Sequence, residues 1–390
     1  MSENKKIGGE YGEVRANIDV EKLNAYLVNR IPGLSAPVAV KQFKFGQSNP
    51  TYFLNDARGQ RYVLRKKPAG QLLSKTAHQV EREYKILNAL HQHNTNPKTK
   101  PEERVPIPQP FLLCEDSTVV GTPFYVMEFL DGRIFTDTKM PEVAPKDRRE
   151  CWLSAVSSLA RLSALDPAAL GLSNFGPSSD YFPRQIKSMT RVSTAQAAAV
   201  DIDTNHAVGD IPLFREMVSW YQTHLPDEKK TGLRIVHGDY KLDNVVFHPT
   251  ENRVIGILDW ELTTLGSPLA DFANLTQPWS VDERTVAGTN LVGFKNPTNP
   301  QDLAISREDM ERAYCEILNY SYPIKELTFV RSWMLFRLAI IAQGIAARHA
   351  RRQASSEQAH LYKEVFPVVG KLAIVVLEDE GISIGYGAKL

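Results

Sequence analysis

His237-Gly238-Asp239-Tyr240-Lys241-Leu242-Asp243-Asn244 places a carboxylate five residues before an amide, and Asp259-Trp260-Glu261 follows fifteen residues after that amide. Carboxylate and amide oxygens are hard ligands. They suit magnesium, an ion that keeps several of its waters and needs few protein groups. A third group, a carboxylate not used on the metal, can orient a hydroxyl and accept its proton. The layout therefore implies phosphoryl transfer, with Asp239 as base or acceptor-orienting group and Asn244 and Asp259 as magnesium ligands. Because the transition state is loose, alignment is the main work expected of Asp239. Lys241 can balance charge on the transferring group. His237 reads as a core histidine bracing the loop, and Asp243 as a solvated or capping acid. Glu261 either assists the metal through water or makes a local structural bond.

These groups need a scaffold. Ile235-Val236 is a short apolar strand that delivers His237-Gly238-Asp239 to a turn. Val245-Val246-Phe247 and Val254-Ile255-Gly256-Ile257-Leu258 flank a hairpin with its tip at residues 248–253. Asp259 then emerges near Asn244. Upstream, residues 19–30 read as a short amphipathic helix, with Asp19 as N-cap and Leu23 and Leu27 at helical spacing. Residues 38–45, 51–54 and 61–65 alternate as strands, residues 76–91 carry a helical stripe, and residues 111–113 and 123–129 are two further strands. From residue 130 helices dominate, at 146–164, 180–192, 213–224, 307–320, 324–352 and 356–377. The expected fold class is α+β and bilobal. A small N-terminal lobe with a five-stranded antiparallel sheet and one inserted helix precedes a larger, mainly helical C-terminal lobe, with a binding cleft between them. The expected divisions are an N-terminal segment over 1–34, a nucleotide-binding small lobe over 35–130, and a helical lobe with catalytic loop and acceptor site over 131–390.

Composition excludes several classes. A net charge of +1 over 390 residues offers no global field for nucleic acid or a membrane surface. Cys114, Cys151 and Cys315 are isolated, so neither a metal cluster nor a disulfide framework is expected. The N-terminal 14 residues are polar and lack the apolar stretch of a signal peptide. Residues 329–347 approach a membrane span, but Arg331, Arg337 and Gln343 argue for a buried helix. A cytoplasmic protein is expected.

The segment around Asp239 resembles the catalytic loop and metal-binding acid of aminoglycoside phosphotransferases, choline kinases and related small-molecule kinases, which share the fold of protein kinases. The resemblance implies ATP as co-substrate, Mg2+ as cofactor and a small-molecule hydroxyl as acceptor. His-Gly-Asp in place of His-Arg-Asp points to the small-molecule branch. In such kinases the loop around Gly46, Ser48 and Asn49 covers the phosphates, although Gly46 is its one glycine. Arg65 stands where kinases place a lysine, with Lys66 and Lys67 beside it. Alternation along the strand sends Lys66 to the other face, and Arg65 is the favoured phosphate-binding cation. Its expected partner is Glu83. Met127-Glu128-Phe129-Leu130 matches the interlobe hinge, so the backbone of Glu128 and Leu130 is expected to meet the adenine edge.

A narrower resemblance rests on Gly46-Gln47-Ser48-Asn49-Pro50-Thr51, Leu64-Arg65-Lys66-Lys67-Pro68, Glu81-Arg82-Glu83-Tyr84, the stretch from Asp180 to Ile186, and Leu258-Asp259-Trp260-Glu261. Together these are similar to the kinase-like domains fused to acyl-CoA dehydrogenases in animals and to their stand-alone bacterial relatives. That likeness implies a hydroxyacyl-CoA or hydroxy acid as acceptor, and the sequence fits the stand-alone form. Candidate acceptor walls are Tyr181, Arg184, Gln185, Trp260, Trp279, Trp333 and Arg337; the run Arg348-His349-Ala350-Arg351-Arg352 reads as a solvated helix end. Three alternatives stand beside this reading. An aminoglycoside or choline-type kinase shares the motifs, though no acidic wall suited to an aminoglycoside stands out. A protein kinase is disfavoured, because Asp259-Trp260-Glu261 replaces Asp-Phe-Gly and no Ala-Pro-Glu segment follows. A non-catalytic pseudokinase is disfavoured by intact Asp239, Asn244 and Asp259.

Overall fold

The computed structural model describes residues 11–12, 18–43, 49–68, 79–286, 291–354 and 357–385. The chain forms two compact units. The first comprises residues 1–140, 168–172 and 241–263, and the second comprises residues 141–167, 173–240 and 264–390.

The first unit is built on a sheet of strands β1 (Tyr11–Gly12), β2 (Ala39–Phe43), β3 (Thr51–Asn55), β4 (Arg61–Lys66), β5 (Pro110–Cys114) and β6 (Phe124–Glu128). The order is β1-β2-β3-β4-β6-β5, with every neighbour antiparallel. The five expected strands are present, and the two-residue β1 adds a sixth at the edge. Side chains on a strand alternate between faces. One face presents Tyr52, Leu54, Tyr62, Leu64, Leu112, Phe124 and Val126 to a shared core with Leu23 and Leu27 of helix α1 (Val20–Leu27). Each of these two leucines contributes about 1.5–3 kcal/mol when fully buried. Asp19 caps α1, its Oδ1 accepting from the Lys22 N–H at 3.0 Å. The opposite face carries Phe53, Val63, Arg65, Tyr125 and Met127, and helix α2 (Val80–Thr95) packs against β5 and β6. A short helix α3 (Ser117–Val120) joins β5 to β6.

The expectation that residues 131–390 form one helical lobe is corrected by hairpin β8 (Val245–Phe247) and β9 (Val254–Ile257), which belongs to the first unit. Backbone pairing is the reason. Arg133 and Phe247 exchange two hydrogen bonds of 2.8 Å, and the Ile257 N–H reaches the Pro106 carbonyl at 3.0 Å. Gly132 permits that approach, since a Cβ there would lie 2.3 Å from the Phe247 carbonyl oxygen.

The second unit contains α4 (Pro145–Ala164), α5 (Tyr181–Ala197), α6 (Phe214–Thr223), β7 (Arg234–Val236), β10 (Thr264–Gly266), α7 (Leu269–Leu275), α8 (Arg307–Leu318), α9 (Leu327–Ala350) and α10 (Tyr362–Glu378). β7 pairs antiparallel with β10. α9 is long and apolar enough to cross a membrane, but most of it is buried inside this unit against α5, α7 and α10. Three of its polar residues have internal partners there. Arg331 pairs with Glu311 at 2.8 Å, Ser332 with Tyr221 at 2.7 Å, and Gln343 with Ser193 at 2.7 Å. All three cysteines are buried and none forms a disulfide.

Candidate active site

In the first unit, Arg65 is the centre of a buried ionic group. It lies opposite Tyr125 in the β4–β6 register, and both reach Glu83 from beneath α2. Arg65 Nε is 3.2 Å from Glu83 Oε2, and the Glu83 side chain is only 1% exposed. Tyr125 donates its hydroxyl to Glu83 at 3.0 Å, and the Asn49 amide donates to the other carboxylate oxygen at 2.6 Å. Arg65 Nη2 extends to Asp259 Oδ1 at 2.5 Å and to Glu261 Oε2 at 3.3 Å. Three carboxylates thus face one guanidinium. Burial pushes the Glu83 carboxyl up to about 7 against the pull of Arg65 and the Tyr125 hydroxyl. Burial works to lower the Arg65 pKa, but Glu83 leads the surrounding anions in raising it, so the guanidinium stays charged. Lys66 points to the opposite face, where its Nζ donates to the Val120 carbonyl at 2.7 Å. Lys67 lies 3.9 Å from Glu81.

The hairpin brings Asn244 and Asp259 together. The Leu258 N–H donates to the Asn244 carbonyl at 2.8 Å, so the residue next to Asp259 is hydrogen-bonded across the hairpin. Asp259 adopts a left-handed backbone, φ 65 and ψ 60, which turns the chain out of β9 into the Trp260–Leu262 turn. Such a conformation in a residue other than glycine is sparse, least so for Asn and Asp, and it clusters at functional sites. Two hard oxygen donors at one end of a hairpin, beside an excess of carboxylate over guanidinium, fit a hydrated magnesium ion. Among the described residues no group of three or more His, Cys, Asp or Glu side chains forms a self-sufficient metal cage. That is compatible with an ion held in part by its waters.

In the second unit, β7 leads into the His237-Gly238-Asp239 loop. Gly238 has φ 89, a conformation that favours glycine and gives the middle position of this motif a backbone reason. Asp271 on α7 holds the loop. Its carboxylate accepts from the His237 N–H at 2.6 Å and the Gly238 N–H at 2.9 Å. Asn274 donates to the Tyr240 carbonyl at 3.2 Å, and the buried Tyr240 hydroxyl donates to the Ala155 carbonyl at 2.7 Å. His237 is fully buried, and its Nδ1 accepts from the Asp239 N–H at 3.3 Å. Burial raises the Asp271 pKa, opposed by His237 and the two N–H donors. Asp271→Ala leaves both donors unpaired in the interior. At about 1–3 kcal/mol for each, it is expected to lower stability by roughly 2–6 kcal/mol. Thermal denaturation checks this; a midpoint like the wild type's would show that the loop stands without Asp271.

A model of the phosphotransferase enzyme family matches residues 39–302, well over half of the chain. The chain belongs to this family. The phosphotransferase is 38% identical over 362 residues to acyl-CoA dehydrogenase family member 11 of Gallus gallus, covering 90% of this chain and 43% of that protein. It therefore spans less than half of that relative's length. A crystal structure of a candidate aminoglycoside phosphotransferase from Ralstonia eutropha superposes with a TM-score of 0.77 at 32% identity, covering 93% of this chain and 99% of the other. The streptomycin–ATP ternary complex of APH(2")-IIa shares the fold, with a TM-score of 0.52 at 14% identity, covering 84% of this chain and 91% of the other.

The other expected site residues of the phosphotransferase are placed in different surroundings. Gly46 and Ser48 lie outside the described residues. Asn49, expected to contact phosphate, instead directs its amide at Glu83. Glu128 donates its backbone N–H to the Gln109 carbonyl at 2.8 Å, so that N–H is committed to the protein. The Leu130 side chain covers Gly256, where a Cβ would meet it at 2.0 Å. Lys241 pairs with Asp243 at 3.3 Å, and both are substantially exposed. Of the acceptor-wall candidates, Trp260 and Trp279 are buried and donate their indole N–H to the carbonyls of Ile257 and Ile305. Sequence reasoning missed Asp271, Tyr125 and Asn274. The legible signal for Asp271 was one acid within the apolar run Leu269-Ala270-Asp271-Phe272-Ala273.

Proposed function

We propose that this phosphotransferase moves the γ-phosphate of ATP to a hydroxyl of a small molecule. The observation that carries the reading is Arg65, clamped by buried Glu83 and reaching Asp259 in the same unit. Such a cation, held charged and oriented, suits phosphate oxygens, which arginine can engage through two parallel N–H groups. Asn244 and Asp259 would hold Mg2+, which when bound neutralises charge on the phosphates. Asp239 orients the acceptor hydroxyl and takes its proton, and Asp271 fixes the backbone that presents it. Lys241 offers positive charge beside the loop.

For the acceptor we propose a hydroxy acid or hydroxyacyl-CoA. Support comes from the 38% identity to a protein named as an acyl-CoA dehydrogenase family member. An aminoglycoside is the second reading, favoured by the description of the Ralstonia eutropha structure. A panel of hydroxy acids, hydroxyacyl-CoAs, choline and aminoglycosides with labelled ATP and Mg2+ separates them. Label is expected on a hydroxy acid or its thioester. Transfer to aminoglycosides alone would replace the acceptor assignment.

A further inference from the structure

Arg337 lies on α9, which packs against α5 and α7; α5 packs on β10, which pairs with the β7 strand leading into the catalytic loop. α7 supplies Asp271, whose two carboxylate oxygens accept from the His237 and Gly238 N–H groups. α5 begins at Tyr181, and its ring lies against Gly266 of β10, where a Cβ would come within 2.3 Å. Burial pushes the Tyr181 hydroxyl up to about 12, and Arg337 is the foremost charge opposing it; Arg337 also stabilises ionised Asp271.

Its bonding is unusual for that position. Arg337 forms no ion pair or hydrogen bond to a described residue, and its Nε is buried without an acceptor. One turn earlier on the same helix, the fully buried Trp333 has an indole N–H that also lacks an acceptor. Buried donors without partners are rare in folded proteins and call for an explanation. Arg184, the other arginine expected along the acceptor wall, differs. Its Nε donates to the carbonyls of Ser179 and Asp180 at 3.0 Å, and its Nη2 to the Leu265 carbonyl at 3.3 Å. Arg184 is committed to the fold, whereas no backbone carbonyl holds the Arg337 Nε.

We propose that Arg337 is a specificity-determining residue that binds a carboxylate or phosphate on the acceptor, so that the phosphotransferase selects hydroxyl substrates carrying negative charge. The proposal rests on the reading of Asp239 as the group that meets the acceptor hydroxyl. Arginine suits this task because its planar fork matches carboxylate and phosphate oxygens.

Binding is measured by calorimetry for 3-hydroxybutyrate, 3-hydroxybutyryl-CoA and the neutral 3-hydroxybutyramide. The proteins are wild type, Arg337→Gln and Arg337→Lys, each checked for folding by circular dichroism. Wild type is expected to bind at least one anionic probe on the order of tenfold to a hundredfold more tightly than the amide. Arg337→Gln should level that ratio, and Arg337→Lys should restore part of it. Preference for the acid points to a carboxylate, and preference for the thioester alone points to the CoA phosphates. A ratio that survives in Arg337→Gln, even with a lowered thermal midpoint, would mean that Arg337 only balances Asp271 and would overturn the proposal. Absence of any anion preference in wild type would overturn it as well. An Arg337-dependent preference without transfer from ATP would leave the anion site standing and remove the kinase reading.

Discussion

Asp239→Asn is expected to reduce phosphate transfer by about a hundredfold to ten-thousandfold, the range for loss of a positioned general base, with little change in nucleotide affinity. The substitution keeps the size of the side chain and removes its basicity. The loop is built to survive it. Gly238 supplies the left-handed backbone, Asp271 holds the His237 and Gly238 N–H groups, and Asn274 holds the Tyr240 carbonyl. None of these contacts uses the Asp239 carboxylate. A fall in turnover at constant affinity would therefore report chemistry rather than misfolding. Steady-state kinetics and nucleotide titration separate the two, and turnover near the wild-type rate would remove Asp239 from the reaction.

The second large effect is expected at Asp259. Asp259→Asn should raise the magnesium concentration needed for nucleotide binding, on the order of tenfold to a hundredfold if one of two protein oxygen ligands is weakened. Stability should change little, because Arg65 still faces Glu83 and Glu261. Asn also tolerates the left-handed backbone at this position. Asp259→Ala loses that tolerance and should cost about 1–2 kcal/mol more. Nucleotide titrations over a magnesium series, paired with thermal denaturation, test both parts. Identical magnesium dependence in wild type and Asp259→Asn would contradict the metal-ligand role.

Much of the fold was legible because its signals are periodic. Strand alternation put Lys66 opposite Arg65, and the structure shows them on opposite faces of β4. The helical stripe of α2 is present as expected, and Glu83, named through the kinase resemblance, pairs with Arg65 under that helix. The parts that escaped are tertiary. Tyr125 on β6 and Asn49 just before β3 act on Glu83 from positions far away in sequence, and neither residue type carries a local mark of that role. Asp271 joins the loop only because α7 packs beneath it. The grouping of 241–263 with the sheet depends on the Arg133–Phe247 and Pro106–Ile257 backbone bonds, which no periodicity encodes. The distinction between Arg184 and Arg337 is of the same kind. Both stood as candidate acceptor walls, and only the carbonyls around Arg184 tell them apart.

The central claim is transfer to an acceptor rather than release of phosphate to water. The direct measurement incubates the protein with ATP, Mg2+ and 3-hydroxybutyrate or its CoA thioester, and follows phosphorus by nuclear magnetic resonance. The account predicts a new phosphomonoester signal that requires the acceptor, requires magnesium and is lost in Asp239→Asn. Inorganic phosphate as the sole product with every hydroxyl acceptor tried, at equal rates in wild type and Asp239→Asn, would contradict it.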